Sequence, residues 1–220
     1  MIISGAFGLF EKKTVIAVGG YDSSTMGEDM ELVVRLHEFS RMNRKPYKID
    51  FAQDAICWSQ TPEKLSELGK QRKRWQRGLF QCMWGHRKML ANPRYGAVGL
   101  LSYIYFLFYE LLSPFIELFG ILTMVLSVMM DMLNVKFMLV FLACYALYGI
   151  LLTLTAYFSR IYTIDQRLSF RELSLAITAC FFETTFLRFY LAFVRVTAFV
   201  GYKKNKLNWG KLERKKMNGI

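Results

Sequence analysis

The spacing of apolar positions along the chain changes once. Up to about residue 94, short apolar runs alternate with polar ones; from about Ala97, long runs of Leu, Phe, Ile, Val and Tyr take over. At the start, Met1 to Ile3 run apolar into the glycine-rich stretch Ser4 to Gly8, which predicts a strand entering a tight turn. Glu11 to Val18 predicts a short helix closed by Gly19 and Gly20, because glycine takes the positive φ that ends a helix. Thr25-x-x-Glu28 has the form of a capping box ahead of a helix over about Asp29 to Arg41, with Met30, Val33 and Val34 on one face. Tyr47, Ile49 and Phe51 alternate with Lys48 and Asp50, a strand pattern. Thr61 and Pro62 supply an N-cap and a first-turn proline for a third helix through Leu65, Leu68 and Trp75. The fold class expected is an α/β portion followed by an all-α membrane region.

The second part divides into Leu100 to Ser113, Phe115 to Met130, Phe137 to Phe158 and Leu173 to Val200, separated by Pro114, Asp131 to Lys136 and Ser159 to Glu172. A crossing needs about 20 apolar residues, and only Phe137 to Phe158 meets that cleanly. Glu110, Glu117, Glu183, Arg188 and Arg195 interrupt the apolar faces. Facing lipid they would be costly, so pairing with one another or lining a polar path is expected, with interface snorkelling an alternative for Arg195.

Charge sharpens this division. The net charge is +12, with cations gathered in Lys64 to Arg94 and again in Lys203 to Lys216, on either side of the apolar half. Basic flanks mark the cytoplasmic side, so the number of crossings is expected to be even: one interfacial helix with two spans, or four spans with Pro114 near a turn. Nucleic acid is excluded as a partner, since domains that bind it do not carry such apolar stretches. An apolar content of 54% and a mean hydropathy of +0.23 make lipid part of the solvent. Cys57, Cys82, Cys144 and Cys180 show neither metal-ligand nor disulfide spacing and are expected to be reduced packing residues. No metal ligands are assigned. His37 and His86 have no acid or cysteine cluster beside them in sequence and are read as surface or packing residues.

Two short motifs carry candidate chemistry. Asp29, in Gly27-Glu28-Asp29, stands where helix N–H groups favour a carboxylate, and a carboxylate held there can act as a general base. The alternative is that Glu28 and Asp29 only complement the helix dipole. Gln71, Arg74 and Trp75 share one helical face with Gly78 a turn further on; Arg can clamp a diphosphate and Trp offers a flat surface to a sugar ring. Arg72 and Lys73 are expected to point away from that face. The alternative is a basic juxtamembrane helix attracted to anionic headgroups.

In order, Ser4-Gly-Ala-Phe-Gly8, Gly19-Gly-Tyr21, Gly27-Glu-Asp29, Cys57-Trp58, Pro62 and Gln71-Arg-Lys-Arg-Trp75-Gln-Arg-Gly78 resemble the latter half of processive family 2 glycosyltransferases, the relatives of cellulose, hyaluronan and poly-N-acetylglucosamine synthases. The resemblance implies the C-terminal part of a GT-A type domain over 1–94, interfacial and transmembrane helices over 95–201 and a basic cytosolic tail over 202–220. It implies an inverting transferase at the cytoplasmic face of the plasma membrane. This would move a sugar from a nucleotide-sugar donor, a UDP-sugar, to a glycan or lipid-linked acceptor, with membrane lipids as further partners. Asp29, beside Glu28, would be the base; Gln71, Arg74 and Trp75 would contact the acceptor end and diphosphate; Ser4, Gly5, Ala6 and Phe7 would line the acceptor side. Gly27 stands where the family usually has Thr. The family's Asp-x-Asp motif does not occur, so the chain is expected to be a fragment, with the ligands of the divalent cation (Mg2+ or Mn2+) outside it. The competing expectation is a non-catalytic basic scaffold that binds anionic lipid.

Overall fold

The computed structural model describes residues 5, 8–44, 49–50, 57, 59–164 and 169–202. No strand occurs among them, so the α/β expectation is not met in the described residues. Ile49 and Asp50 are irregular, and Met1 to Ile3, Tyr47 and Phe51 lie outside the described set. The predicted tail residues Lys203 to Lys216 and Trp58 also lie outside it.

The chain forms two units, Met1–Ser113 with Val194–Ile220, and Pro114–Phe193. The first contains α1 (Lys12–Ala17), α2 (Glu28–Met42) and α3 (Leu65–Gly85), then two 3-10 turns and the π-rich helix α4 (Val98–Leu111). Helix α1 stops as expected, with Gly19 at φ 91° and Gly20 at φ 75°. The start of α2 corrects the capping-box reading. Its N-cap is Gly27, with no side-chain cap, and the Thr25 hydroxyl instead donates to the Asp22 carbonyl at 3.2 Å. Helix α3 also starts later than Pro62 predicted, after an extended Lys64. Its inward positions, Gly69, Gln76, Leu79, Cys82 and Met83, occur from the second turn onward, and tertiary burial outweighs the local proline bias. The core packs Val34 of α2 against Leu79, Cys82 and Met83 of α3, with Met89, Tyr95, Tyr103 and Leu111 closing it. Gly99 is required there, since a Cβ would meet the Met89 carbonyl oxygen at 2.6 Å.

The second unit contains α5 (Ser113–Met129), α6 (Val135–Ile164) and the greater part of α7 (Phe170–Phe199). Val135–Ser159, with a mean hydropathy of 2.3, and Phe170–Phe199, with 1.4, are long and apolar enough to cross a membrane. Helix α7 begins with a full capping box: Ser169 accepts from the Glu172 N–H, and the Glu172 carboxylate accepts from the Ser169 N–H. Within this unit Arg188 donates twice to one Glu117 oxygen, at 3.0 and 2.8 Å, and lies 5.4 Å from the Tyr145 ring. The apolar faces thus carry a paired charge, as expected. Gly149 lets α6 approach α7 closely, because a Cβ there would collide with the Thr184 methyl.

Candidate active site

Asp29 lies in the first turn of α2 with Glu28 and Glu31, so three carboxylates sit where the unpaired N–H groups favour negative charge. Asp29 is half-buried, and its Oδ1 accepts from the Met30 N–H at 2.8 Å. Its other oxygen faces the Gly5 backbone so closely that a Cβ on Gly5 would fall inside the carboxylate. Two predicted site residues far apart in sequence therefore meet. Ser4, Ala6 and Phe7 lie outside the described residues.

The entry to α2 is fixed to α3 by backbone. A Cβ built on Gly78 would stand 3.0 Å from the Gly27 nitrogen and 3.3 Å from the Met26 carbonyl carbon, while the Met26 N–H donates to Gln81 Oε1 at 2.8 Å. Gly78 is three residues beyond Trp75 and seven beyond Gln71, on the same helical face. The face carrying Gln71, Arg74 and Trp75 is thus the one that receives the N-terminal end of α2. Trp75 is 48% exposed, leaving ring surface for a ligand. Arg72 corrects the expectation that it points away, since its guanidinium lies 4.6 Å from the Trp75 ring centroid. Attraction between a cation and the ring face, three residues along the helix, draws it there.

The opposite side of α3 holds residues to which sequence reasoning assigned no role. Gln76, 1% exposed, donates to the Leu111 carbonyl at 2.9 Å and accepts from Arg195 Nε at 2.7 Å. Arg195 also donates to the Glu110 carbonyl, with the Glu110 carboxylate 3.8 Å away. Pro114 offers no N–H to the Glu110 carbonyl four residues earlier. That carbonyl accepts from Arg195 and, at 3.5 Å, from the Ser113 hydroxyl. Arg77 donates to the Ala198 carbonyl at 2.7 Å. The signal in sequence was a polar residue, Gln76, on the apolar side of the helix.

A second network secures α2. Arg35 donates to the carbonyls of Val18 (2.6 Å) and Gly20 (2.7 Å) and to Glu31 (2.7 Å). His86, read as a surface or packing residue without acid partners, instead lies between Glu38 (2.5 Å from Nδ1) and Glu31 (3.2 Å from Nε2). Those acids are 48 and 55 residues away in sequence, so no local pattern reveals them. Burial pulls the His86 pKa down, but hydrogen bonds and attraction from Glu31 and Glu38 outweigh it and raise it above 6.5. Burial first, then Glu31 and Asp29, push the Cys82 thiol up to about 12. Cys82 and Cys180 are buried packing residues as expected, whereas Cys57 and Cys144 are exposed. Among the described residues no three His, Cys, Asp or Glu side chains converge to hold a metal ion.

A family model described as glycosyl transferase family group 2 matches residues 1–200. The chain is similar to poly-beta-1,6-N-acetyl-D-glucosamine synthase of Staphylococcus aureus strain COL, with 37% identity over 90 residues, covering 41% of this chain and 19% of that protein. The synthase of the same name from Staphylococcus epidermidis is 36% identical over 90 residues, with the same coverage. The chain thus spans about a fifth (19%) of the length of the curated relatives it matches. No solved structure matches it.

Proposed function

The chain belongs to glycosyl transferase family group 2, and on that premise we propose that it forms the acceptor and leaving-group side of an inverting glycosyltransferase. The donor is a nucleotide-sugar of the UDP class, and the acceptor is a glycan or a lipid-linked sugar. The observation that carries this reading is the backbone contact of Gly27 with Gly78, which ties the Asp29 carboxylate to the helix bearing Gln71, Arg74 and Trp75.

In the proposed reaction an acceptor hydroxyl attacks the anomeric carbon of the donor. The new C–O bond forms as the bond to the diphosphate breaks, and the hydroxyl proton passes to Asp29. Glu28 adds to the negative field at the helix start. Arg74 meets charge developing on the diphosphate, and Trp75 stacks on the acceptor sugar, with Gln71 hydrogen-bonding beside it. Ser4, Gly5, Ala6 and Phe7 line the acceptor side. The divalent cation that such a leaving group requires, and the uridine-binding portion, belong to sequence outside these 220 residues. In this reading 1–94 is the C-terminal part of a cytosolic GT-A domain, 95–201 the interfacial and transmembrane helices and 202–220 a basic cytosolic tail, all at the plasma membrane.

The relatives' name makes an N-acetylglucosaminyl donor the first to assay. With the donor-binding portion present, Asp29→Asn should cut sugar transfer by about 10²–10⁴-fold while membrane insertion is unchanged. Retained transfer would remove Asp29 from the mechanism. Transfer by the 220-residue chain alone would overturn the division into two halves.

A further inference from the structure

The segment joining α3 to α4 presents a second, separate surface. Residues 86–96 form a tight double turn. Met89 (0% exposed) and Tyr95 (4%) point inward, while Arg87, Lys88, Leu90 and Arg94 point outward. The turn is braced from within. Asn92 donates to the Lys88 carbonyl at 3.1 Å and accepts from the Arg94 N–H at 3.1 Å, and the Ala91 N–H donates to Gly99 at 3.2 Å. Arg87 lies 5.3 Å from the ring centroid of Trp84, which is 62% exposed, and donates to the Trp84 carbonyl at 3.1 Å. The outward side chains are thus held on a rigid frame before any ligand arrives.

Charge and exposed apolar area occur together on this surface. No Asp or Glu stands between Glu67 and Glu110, so no acid from the same stretch neutralises these cations. Immediately beyond the turn, Leu100 (39%), Leu101 (70%) and Tyr105 (51%) of α4 are exposed, continuing the apolar area of Leu90. Water does not favour such a surface, whereas the headgroup boundary of a bilayer does: phosphates for the cations, acyl chains for leucine, and the interface for an amphipathic indole.

We propose that Trp84, Arg87, Lys88, Leu90 and Arg94 form a docking surface for anionic phospholipid headgroups. The inference goes beyond the transfer reaction and uses none of its residues, so either can fail alone.

The test is native mass spectrometry of the full 220-residue chain in neutral detergent, titrated separately with dioleoylphosphatidylglycerol, dioleoylphosphatidylcholine and inorganic phosphate. Saturable retention of phosphatidylglycerol is expected, at least about tenfold tighter than phosphatidylcholine and not displaced by phosphate. Replacing Arg87, Lys88 and Arg94 together by Gln should weaken it on the order of 100-fold at low salt, and Lys88→Gln alone about fivefold. The charge-conserving pair Arg87→Lys and Arg94→Lys should retain binding, and unchanged circular dichroism would show that the variants fold. Equal retention of the two lipids, or undiminished binding by a folded triple variant, would overturn the proposal. Phosphate binding as tight as phosphatidylglycerol would reassign the surface to a free anion and overturn it equally.

Discussion

Replacing Gln76 by Leu probes the join between α3, the end of α4 at Leu111, and Arg195. The two side chains are similar in size, so the change removes hydrogen bonds and opens little space. It leaves the buried Leu111 carbonyl without the donor now 2.9 Å away and removes the acceptor 2.7 Å from Arg195 Nε. An orphaned buried carbonyl costs about 1–3 kcal/mol, and a hydrogen bond to a charged group contributes about 1.5–3 kcal/mol. Burying apolar atoms in place of the amide returns roughly 1 kcal/mol. The net loss is therefore about 1.5–5 kcal/mol, with Arg195 still holding the Glu110 carbonyl. For a chain of this size that is a fall in Tm of roughly 3–20 °C. Thermal unfolding of the purified chain in neutral detergent, followed by far-ultraviolet circular dichroism, measures it. Gln76→Glu keeps an acceptor for Arg195 but sets oxygen against oxygen at Leu111, so it should fall between wild type and Gln76→Leu. A Tm for Gln76→Leu within about 1 °C of wild type would refute the reasoning, because an amide of that connectivity cannot be removed without cost.

Gly78→Ala should cost about 1–3 kcal/mol despite alanine's better helix propensity, because its Cβ meets backbone atoms that cannot rotate away. Gly27→Ala, whose Cβ would make an ordinary contact at 3.4 Å, should cost less; thermal melts of both variants give the order, and the reverse order would count against the backbone contact. His86 has a folded pKa raised above 6.5, so the stability it contributes is fully present below that value and lost as pH rises through the raised one. The difference in Tm between wild type and His86→Gln should therefore shrink as pH increases from 6.5, measured by melts across a pH series. With its thiol pushed up to about 12, Cys82 should resist iodoacetamide near neutral pH while exposed Cys57 is alkylated, as peptide mass mapping would show.

Local rules carried the sequence reading where the physics is local. The change of apolar spacing near Ala97, the glycine stop after α1, the body of α2 and the long span of α6 depend on residues within a few turns, and all are present. Asp29 at a helix start was legible for the same reason. Of the strand expected over Tyr47, Ile49 and Phe51, only Ile49 and Asp50 fall within the described residues, and they are irregular. Tertiary structure decided the rest. Gly27 rather than Thr25 caps α2 because its backbone must meet Gly78, and Gly5 must remain glycine because Asp29 occupies the space of its side chain. The Glu38–His86, Gln76–Arg195 and Glu117–Arg188 pairs join residues 48, 119 and 71 positions apart. Periodicity along one chain identifies which face of a helix is apolar, but it holds no information on which distant face will be pressed against it. Partner choice is set by packing and by the need to satisfy every buried polar group, and both exist only once the helices have come together.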